Sequence, residues 1–255
     1  VSAPTAGIGK RLARFLARPR HVHGTSVPAP LEPLRGCLRP ADVLLVEGHS
    51  RVSTAIKYLT QSTWSHAALY VGPMPALAGP GGEVPCFIEA DMVEGVRAVP
   101  LSLFAGLHSR VCRPVSLSTE DAARLVSHAQ LRLGHRYDLR NIVDLVRFLL
   151  PTPPVPQRWR RRMLRLGSGD PTRAICSTLI AQAFESVRYP ILPRVERRPS
   201  EDPLCPLCVQ EILHVRHHSL YVPRDFDVSP YFAIVKPTLA AGFDHRLLRW
   251  GDAAT

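Results

Sequence analysis

Nine residues, Trp64-Ser65-His66-Ala67-Ala68-Leu69-Tyr70-Val71-Gly72, constrain this chain more than any other stretch. A Ser-His pair opens an apolar run that Gly72 and Pro73 stop. Small, branched and aromatic residues between such punctuators predict a buried strand. A histidine at the first position of a core strand is held by the sheet and can still reach a cleft. A buried strand also needs partners, and the rest of the chain supplies them.

In chain order, a turn at 38–42 leads into a strand over Val43–Val46. A short helix follows over Arg51–Thr60, with Val52, Ala55, Ile56 and Leu59 inward, and then a polar loop before His66. Beyond the Pro/Gly-rich loop at 73–85, strands are predicted at 86–90 and 110–115. Ser118 caps a helix, with Asp121 three positions on. Ala122, Leu125, Val126, Ala129 and Leu133 make its stripe, and Gly134 ends it. His128 lies close to that stripe and reads as a packed structural histidine. A second helix over 139–150, ended by Pro151, has a broad apolar face suited to burial or to a lipid or substrate groove. The segment 170–184 starts the cleanest helix, with Leu179, Ile180, Ala183, Phe184 and Val187 at a 3.6-residue period. Residues 190–206 read as a proline-rich loop, 209–215 and 219–222 as short paired strands, and 231–235 as the last strand.

With 255 residues, 45% of them hydrophobic, the chain can bury a core as one domain with extended arms. The expected division is a basic helix (7–18) and arm over 1–36, a catalytic domain over 37–236, and a loosely packed tail over 237–255. Insertions at 151–170 and 190–208 interrupt the domain. The net charge of +11 favours an anionic partner surface: acidic lipid headgroups, a nucleic acid or an anionic wall polymer. Six scattered cysteines do not make a disulfide scaffold. No leader pattern or 18-residue apolar run is visible. The expectation is a soluble protein in a reducing compartment, cytoplasmic or peripheral to a membrane, with a mature periplasmic or secreted form as the alternative.

Two clusters invite a binding role. At helical spacing Arg158, Arg161, Arg162 and Arg165 share one face and Trp159 lies on another, the make-up of a helix lying on an anionic membrane. A solvated charged lid fits the same pattern. Nucleic-acid backbone could meet this run too, but no nucleic-acid module surrounds it, so no specific nucleic acid is expected. Cys205 and Cys208 have the Cys-x2-Cys spacing of zinc sites and redox pairs, with His214, His217 and His218 close behind. Zinc there is a minority reading, and no metal or other cofactor is expected.

Attack by cysteine on an acyl carbon needs a thiolate, a base and a group that orients the base. Cys176, in the opening turns of the 170–184 helix where backbone N–H groups and the dipole favour a thiolate, and His66 supply the first two. Glu89 is preferred as the third, because it lies on the strand after that of His66 and successive strands tend to pair. Asp91 is the fallback. A carboxylate accepting Nδ1–H would leave Nε2 toward the sulfur. Backbone N–H groups near Cys176, helped by the hydroxyl of Tyr137 or Tyr70, would hold the oxyanion, and Ser177 adjoins the nucleophile.

These boxes together resemble the permuted papain-like branch of the NlpC/P60 superfamily, the YiiX/YebB-like proteins related to lecithin:retinol acyltransferase. Leu38-Arg39-Pro40-Ala41-Asp42 looks like the family's "L-x-P-G-D" turn, with Ala41 where glycine is usual. The 64–72 stretch is similar to its "W-S-H-V-G-hydrophobic-Y-V-G" box, with Ala68 replacing a glycine. Phe87-Ile88-Glu89-Ala90, Gly134-x-x-Tyr137-Asp138, Cys176-Ser177-Thr178-Leu179-Ile180 and the segment 222–232 resemble its later elements. The resemblance covers about 38–235. It implies an α+β, circularly permuted papain-like fold: an antiparallel sheet packed against helices, with the nucleophile at a helix N-terminus. It also implies catalytic roles for His66, Glu89 and Cys176, and a thiol hydrolase of the amidase or peptidase kind, possibly on a cell-wall peptide. A lipid-acting thiol acyltransferase or lipase-like hydrolase at an anionic membrane is the alternative, and a binding protein whose cleft has lost turnover is the third reading.

Overall fold

The computed structural model describes residues 31–91, 94–135, 175–199, 204–205, 208–240, 242–247 and 249. The helices expected at 7–18 and 139–150, Tyr137, and the cluster of Arg158, Trp159, Arg161, Arg162 and Arg165 lie outside the described residues. Among the described residues no helix is long and apolar enough to cross a membrane.

Strands β1 (Val43–Val46), β2 (His66–Tyr70), β3 (Phe87–Asp91), β4 (Gly95–Val99), β5 (Ser109–Pro114) and, much later, β8 (Phe232–Val235) form one sheet. Their order is β4-β3-β2-β1-β5-β8, and every neighbouring pair is antiparallel. β1 is buried at all four positions, which explains its unbroken Val-Leu-Leu-Val run. Val43 and Leu45 join Ala67, Leu69 and Ile88 in one cluster, while Leu44 and Val46 join Ala68, Phe87 and Val111 in another.

Helices close both sides. Helix α1 (Leu31–Cys37) puts Leu34 into the second cluster, beside Leu101 and Phe104 of a 3-10 turn. Helix α2 (Arg51–Thr60) connects β1 to β2 and is capped by the Ser50 hydroxyl, which accepts from the Ser53 N–H. Helix α3 (Thr119–Gln130) begins as its sequence predicts, with the Ser118 hydroxyl accepting from the Asp121 N–H. Its Leu125 and Ala129 meet Leu179, Ile180, Ala183 and Phe184 of helix α4 (Ile175–Ser186) in the first cluster. Phe184 is fully buried among Tyr189, Phe226 and Phe232. Truncating such a side chain to alanine costs about 3–5 kcal/mol. The result is an α+β architecture with an antiparallel sheet packed against helices.

Several elements depart from expectation. β4 is an extra strand, because Gly-Val-Arg-Ala-Val lacks the apolar alternation that marks the others. The stretch read as a loop contains β6 (Arg194–Pro199), paired with β7 (Val209–His214) in a separate two-stranded sheet. This hairpin is largely exposed on both faces, so no hydrophobic period reveals it. Residues His218–Leu220 form a 3-10 turn rather than a strand, with the His217 ring accepting from the Ser219 N–H. Helix α5 (Pro223–Val228) then leads into β8. The packing of Leu34 draws the end of the presumed arm into the domain, and α6 (Pro237–Ala240), in the presumed tail, contacts α1.

The 38–42 turn shows why its residues are needed. Asp42 is fully buried and accepts Nε and Nη2 of Arg113 at 2.8 and 2.7 Å and the Arg39 N–H at 2.8 Å. A carboxylate taken out of water requires such compensation. Ala41, also fully buried, has φ +74°, a conformation that glycine adopts freely and other residues at a cost. Ala41→Val should destabilise the fold by about 2–3 kcal/mol, since a β-branched residue adds strain and volume at once. A drop in urea midpoint at unchanged slope is the expected reading, and a shift of only a few tenths of a kcal/mol would contradict the account.

Candidate active site

The approach to His66 is fixed before the ring is reached. Trp64 is buried, and its indole N–H donates to Asp227 Oδ2 at 2.9 Å. Arg110 donates to the other oxygen of Asp227 at 2.6 Å and lies over the Trp64 ring. The Ser65 hydroxyl accepts from the Gly48 N–H at 2.9 Å. The backbone of His66 pairs with Val46 of β1. Only then does the chain present the imidazole, at the first position of β2, with 27% of the side chain exposed.

Glu89, on β3, meets that ring. Its side chain is 4% exposed, and its Oε2 lies 2.6 Å from His66 Nε2. The orientation differs from the expected one: Nε2 faces the carboxylate, which leaves Nδ1 as the ring nitrogen available to a thiol. The side-chain torsions of His66 decide which nitrogen meets the acid.

A residue absent from the sequence reading completes this cluster. Arg97 on β4 is in register with Glu89 and donates Nε and Nη2 to Glu89 Oε1 at 2.9 and 2.7 Å. Its Nη1 donates to Glu94 Oε2 at 2.6 Å, and Asp91 Oδ2 lies 3.9 Å from Nη2. The fallback carboxylate, Asp91, therefore stands on the Arg97 side, where it also accepts the Glu94 N–H at 2.8 Å. Recognising Gly95 as the end of a tight turn would have placed Arg97 opposite Glu89.

Cys176, 5% exposed, is the second residue of α4, and it interacts with His66. Burial disfavours a charged imidazole, but hydrogen bonds and charge from Cys176 and Glu89 outweigh it and push the His66 pKa from 6.5 to about 10. Burial likewise opposes the Glu89 carboxylate; the hydrogen bond and charge of His66, with the Arg97 guanidinium, still hold its pKa below the usual value. Burial raises the pKa of Cys37, Cys86 and Cys112, the last to about 12.

The remaining candidates scatter. The Ser177 hydroxyl donates to the Tyr221 carbonyl at 2.8 Å, tying α4 to the closing segment. Tyr70 ends β2, about 13 Å along the strand from His66 at 3.3 Å per residue, and packs edge-on against Phe87. The structure does not bring it to this corner. Cys205 and Cys208 are bonded to each other as a disulfide, so those sulfurs are not thiolate ligands for zinc. His214 Nε2 pairs with Glu196, and His217 Nδ1 with the Ser219 hydroxyl. Among the described residues, no group of three or more His, Cys, Asp or Glu side chains is placed to hold a metal ion.

No protein-family model matches the chain, and no curated relative does. Among solved structures, it is similar to metalloprotein yiiX from Escherichia coli O157:H7 (DUF1105). The identity is 17% and the TM-score 0.45, over 78% of this chain and 96% of that one.

The raised His66 pKa has a sign for stability. A folded pKa above the unfolded value contributes stability that is complete below pH 6.5 and is lost as pH climbs through about 10. Urea midpoints measured from pH 6 to 10.5 should therefore fall more steeply in the parent than in His66→Gln. Parallel profiles would show that the imidazolium is not held this way.

Proposed function

We propose that this protein is a thiol-dependent acyl-transfer enzyme. The observation that carries the reading is the buried Glu89–His66 hydrogen bond at 2.6 Å, on a ring that also engages Cys176. Ionised Glu89 favours an imidazolium, and an imidazolium beside sulfur favours a thiolate.

In the proposed sequence, the Cys176 thiolate attacks an acyl carbonyl and forms the Sγ–C bond. Backbone N–H groups beside Cys176 receive the developing oxyanion. The tetrahedral adduct collapses to a thioester, and the leaving alkoxide or amine takes its proton from His66. The neutral ring then removes a proton from water or another acceptor, which attacks the thioester and frees the thiolate. Glu89 stays ionised and stabilises the imidazolium throughout.

For the acyl donor we favour a lipid ester at an anionic membrane surface over a peptide amide. The charge of +11 draws the chain toward acidic headgroups. The permuted NlpC/P60 resemblance accommodates both donors.

The test uses the full chain. Iodoacetamide should label Cys176 ahead of Cys37, Cys86 and Cys112, and Cys176→Ala should lose that label. Incubation with phosphatidylglycerol vesicles should leave a hydroxylamine-labile acyl mass on Cys176, and Cys176→Ala should lower turnover by about 10⁴-fold or more. An acyl-enzyme from peptide amides alone would replace the lipid donor. An unreactive Cys176 would leave only a binding role for the cleft.

A further inference from the structure

We infer that Arg97 is a positioning residue for the proposed acyl-transfer site: its guanidinium grips one oxygen of Glu89 so that the carboxylate stays charged and its other oxygen stays aimed at His66. The inference rests on the acyl-transfer reading, and its readout is separate from turnover.

The argument begins with what Glu89 requires. A carboxylate with a 4% exposed side chain has lost nearly all its water. Burial alone favours the protonated acid, which donates a hydrogen bond and cannot stabilise an imidazolium. His66 is one compensating cation, but it gives up its proton during the proposed cycle. Each time the ring becomes neutral, Glu89 loses half its support. Arg97 does not titrate in the working range, so it holds the charge of Glu89 through the step in which His66 is neutral.

Geometry adds orientation to charge. Nε and Nη2 both reach Oε1, at 2.9 and 2.7 Å, leaving Oε2 to His66 at 2.6 Å. One oxygen is thus assigned to each cation, and the carboxylate plane cannot rotate without breaking the grip. The guanidinium is itself held, by Glu94 just before β4 at 2.6 Å and by Asp91 at the end of β3 at 3.9 Å. Among the described residues, the charged or titratable groups that bear on Glu89 are His66 from β2, Arg97 from β4, Asp91 at the end of β3, Glu94 just before β4 and, through the ring, Cys176 from α4. Arg97 is the non-titrating cation in direct contact.

A salt bridge that merely fastens β4 to β3 would affect stability and leave the site's titration alone. The experiment separates the two. Parent, Arg97→Gln and Arg97→Lys are compared as folded full-length proteins by the pH dependence of Cys176 alkylation and by NMR titration of the His66 ring. Removing the charge makes Glu89 easier to protonate and the thiolate harder to keep. In Arg97→Gln the acid limb of alkylation should therefore rise by about one to two pH units, with a matching change in the acid titration of the ring. Arg97→Lys restores a point charge without the fork. It should keep the acid limb near the parent's while losing the downfield Nε2–H resonance of a fixed imidazole–carboxylate bond. If Arg97→Gln does not fold, the Lys variant decides: an unchanged Nε2–H resonance would overturn the inference. So would a folded Arg97→Gln whose limb and ring titration match the parent's. An unreactive parent thiol would overturn the acyl-transfer reading instead, while the ring titration would still report on Arg97 and Glu89.

Discussion

A carboxylate buried between two cations is the constraint on which the rest depends. His66 and Arg97 both reach Glu89 and offset the cost of burying its charge, and they come from the strands on either side of its own. That makes strand register a chemical matter. A slip of one residue in β3 would turn Glu89 toward the opposite face, where Ile88 and Ala90 pack against α4 and its neighbours. Such a slip would bury a charge without partners and expose an apolar pair. Sheet pairing and site electrostatics therefore select the same arrangement.

Two residues of the sequence motifs, Asp42 and Trp64, act as fastenings. Asp42 neutralises Arg113 and so ties the turn before β1 to β5, two positions that are far apart in sequence. Trp64 reaches Asp227 on α5, with Arg110 on the same carboxylate, and so joins the entry of β2 to the closing segment. In both cases a polar group taken out of water is matched by a specific donor. In both, the match joins segments that lie far apart in sequence. Motif membership marks these residues because the fold needs them, without any contact to a reacting atom.

The sequence revealed those parts of the structure whose burial imposes a period. β1, β2, α3 and α4 carry apolar residues on faces that meet the core, and their limits lie close to those expected. Glu89 was readable because adjacent strands in the chain became adjacent in the sheet. β4 was not, since arginine and alanine blur its alternation, and Arg97 was hidden with it. β6 was hidden for the opposite reason: exposure on both faces leaves no pattern to read. The orientation of the His66 ring and the bond between Cys205 and Cys208 were beyond reach on other grounds. The first depends on side-chain torsions, and Cys-x2-Cys spacing serves a disulfide as well as a metal. Tyr70 shows the limit of a motif: three strand residues separate it from His66, although one box contains both.

The strand order has a consequence for the growing chain. His66, Glu89 and Arg97 lie on three consecutive strands joined by local connections, whereas Cys176 comes 79 residues after Arg97. On the ribosome, His66, Glu89 and Arg97 are translated well before Cys176. The Cys176 sulfur is then made after both the imidazole and its carboxylate partner. Among the described strands of this sheet, β8 is translated last and takes its place at the edge. All three members of the charge cluster are thus made before the helix that carries Cys176.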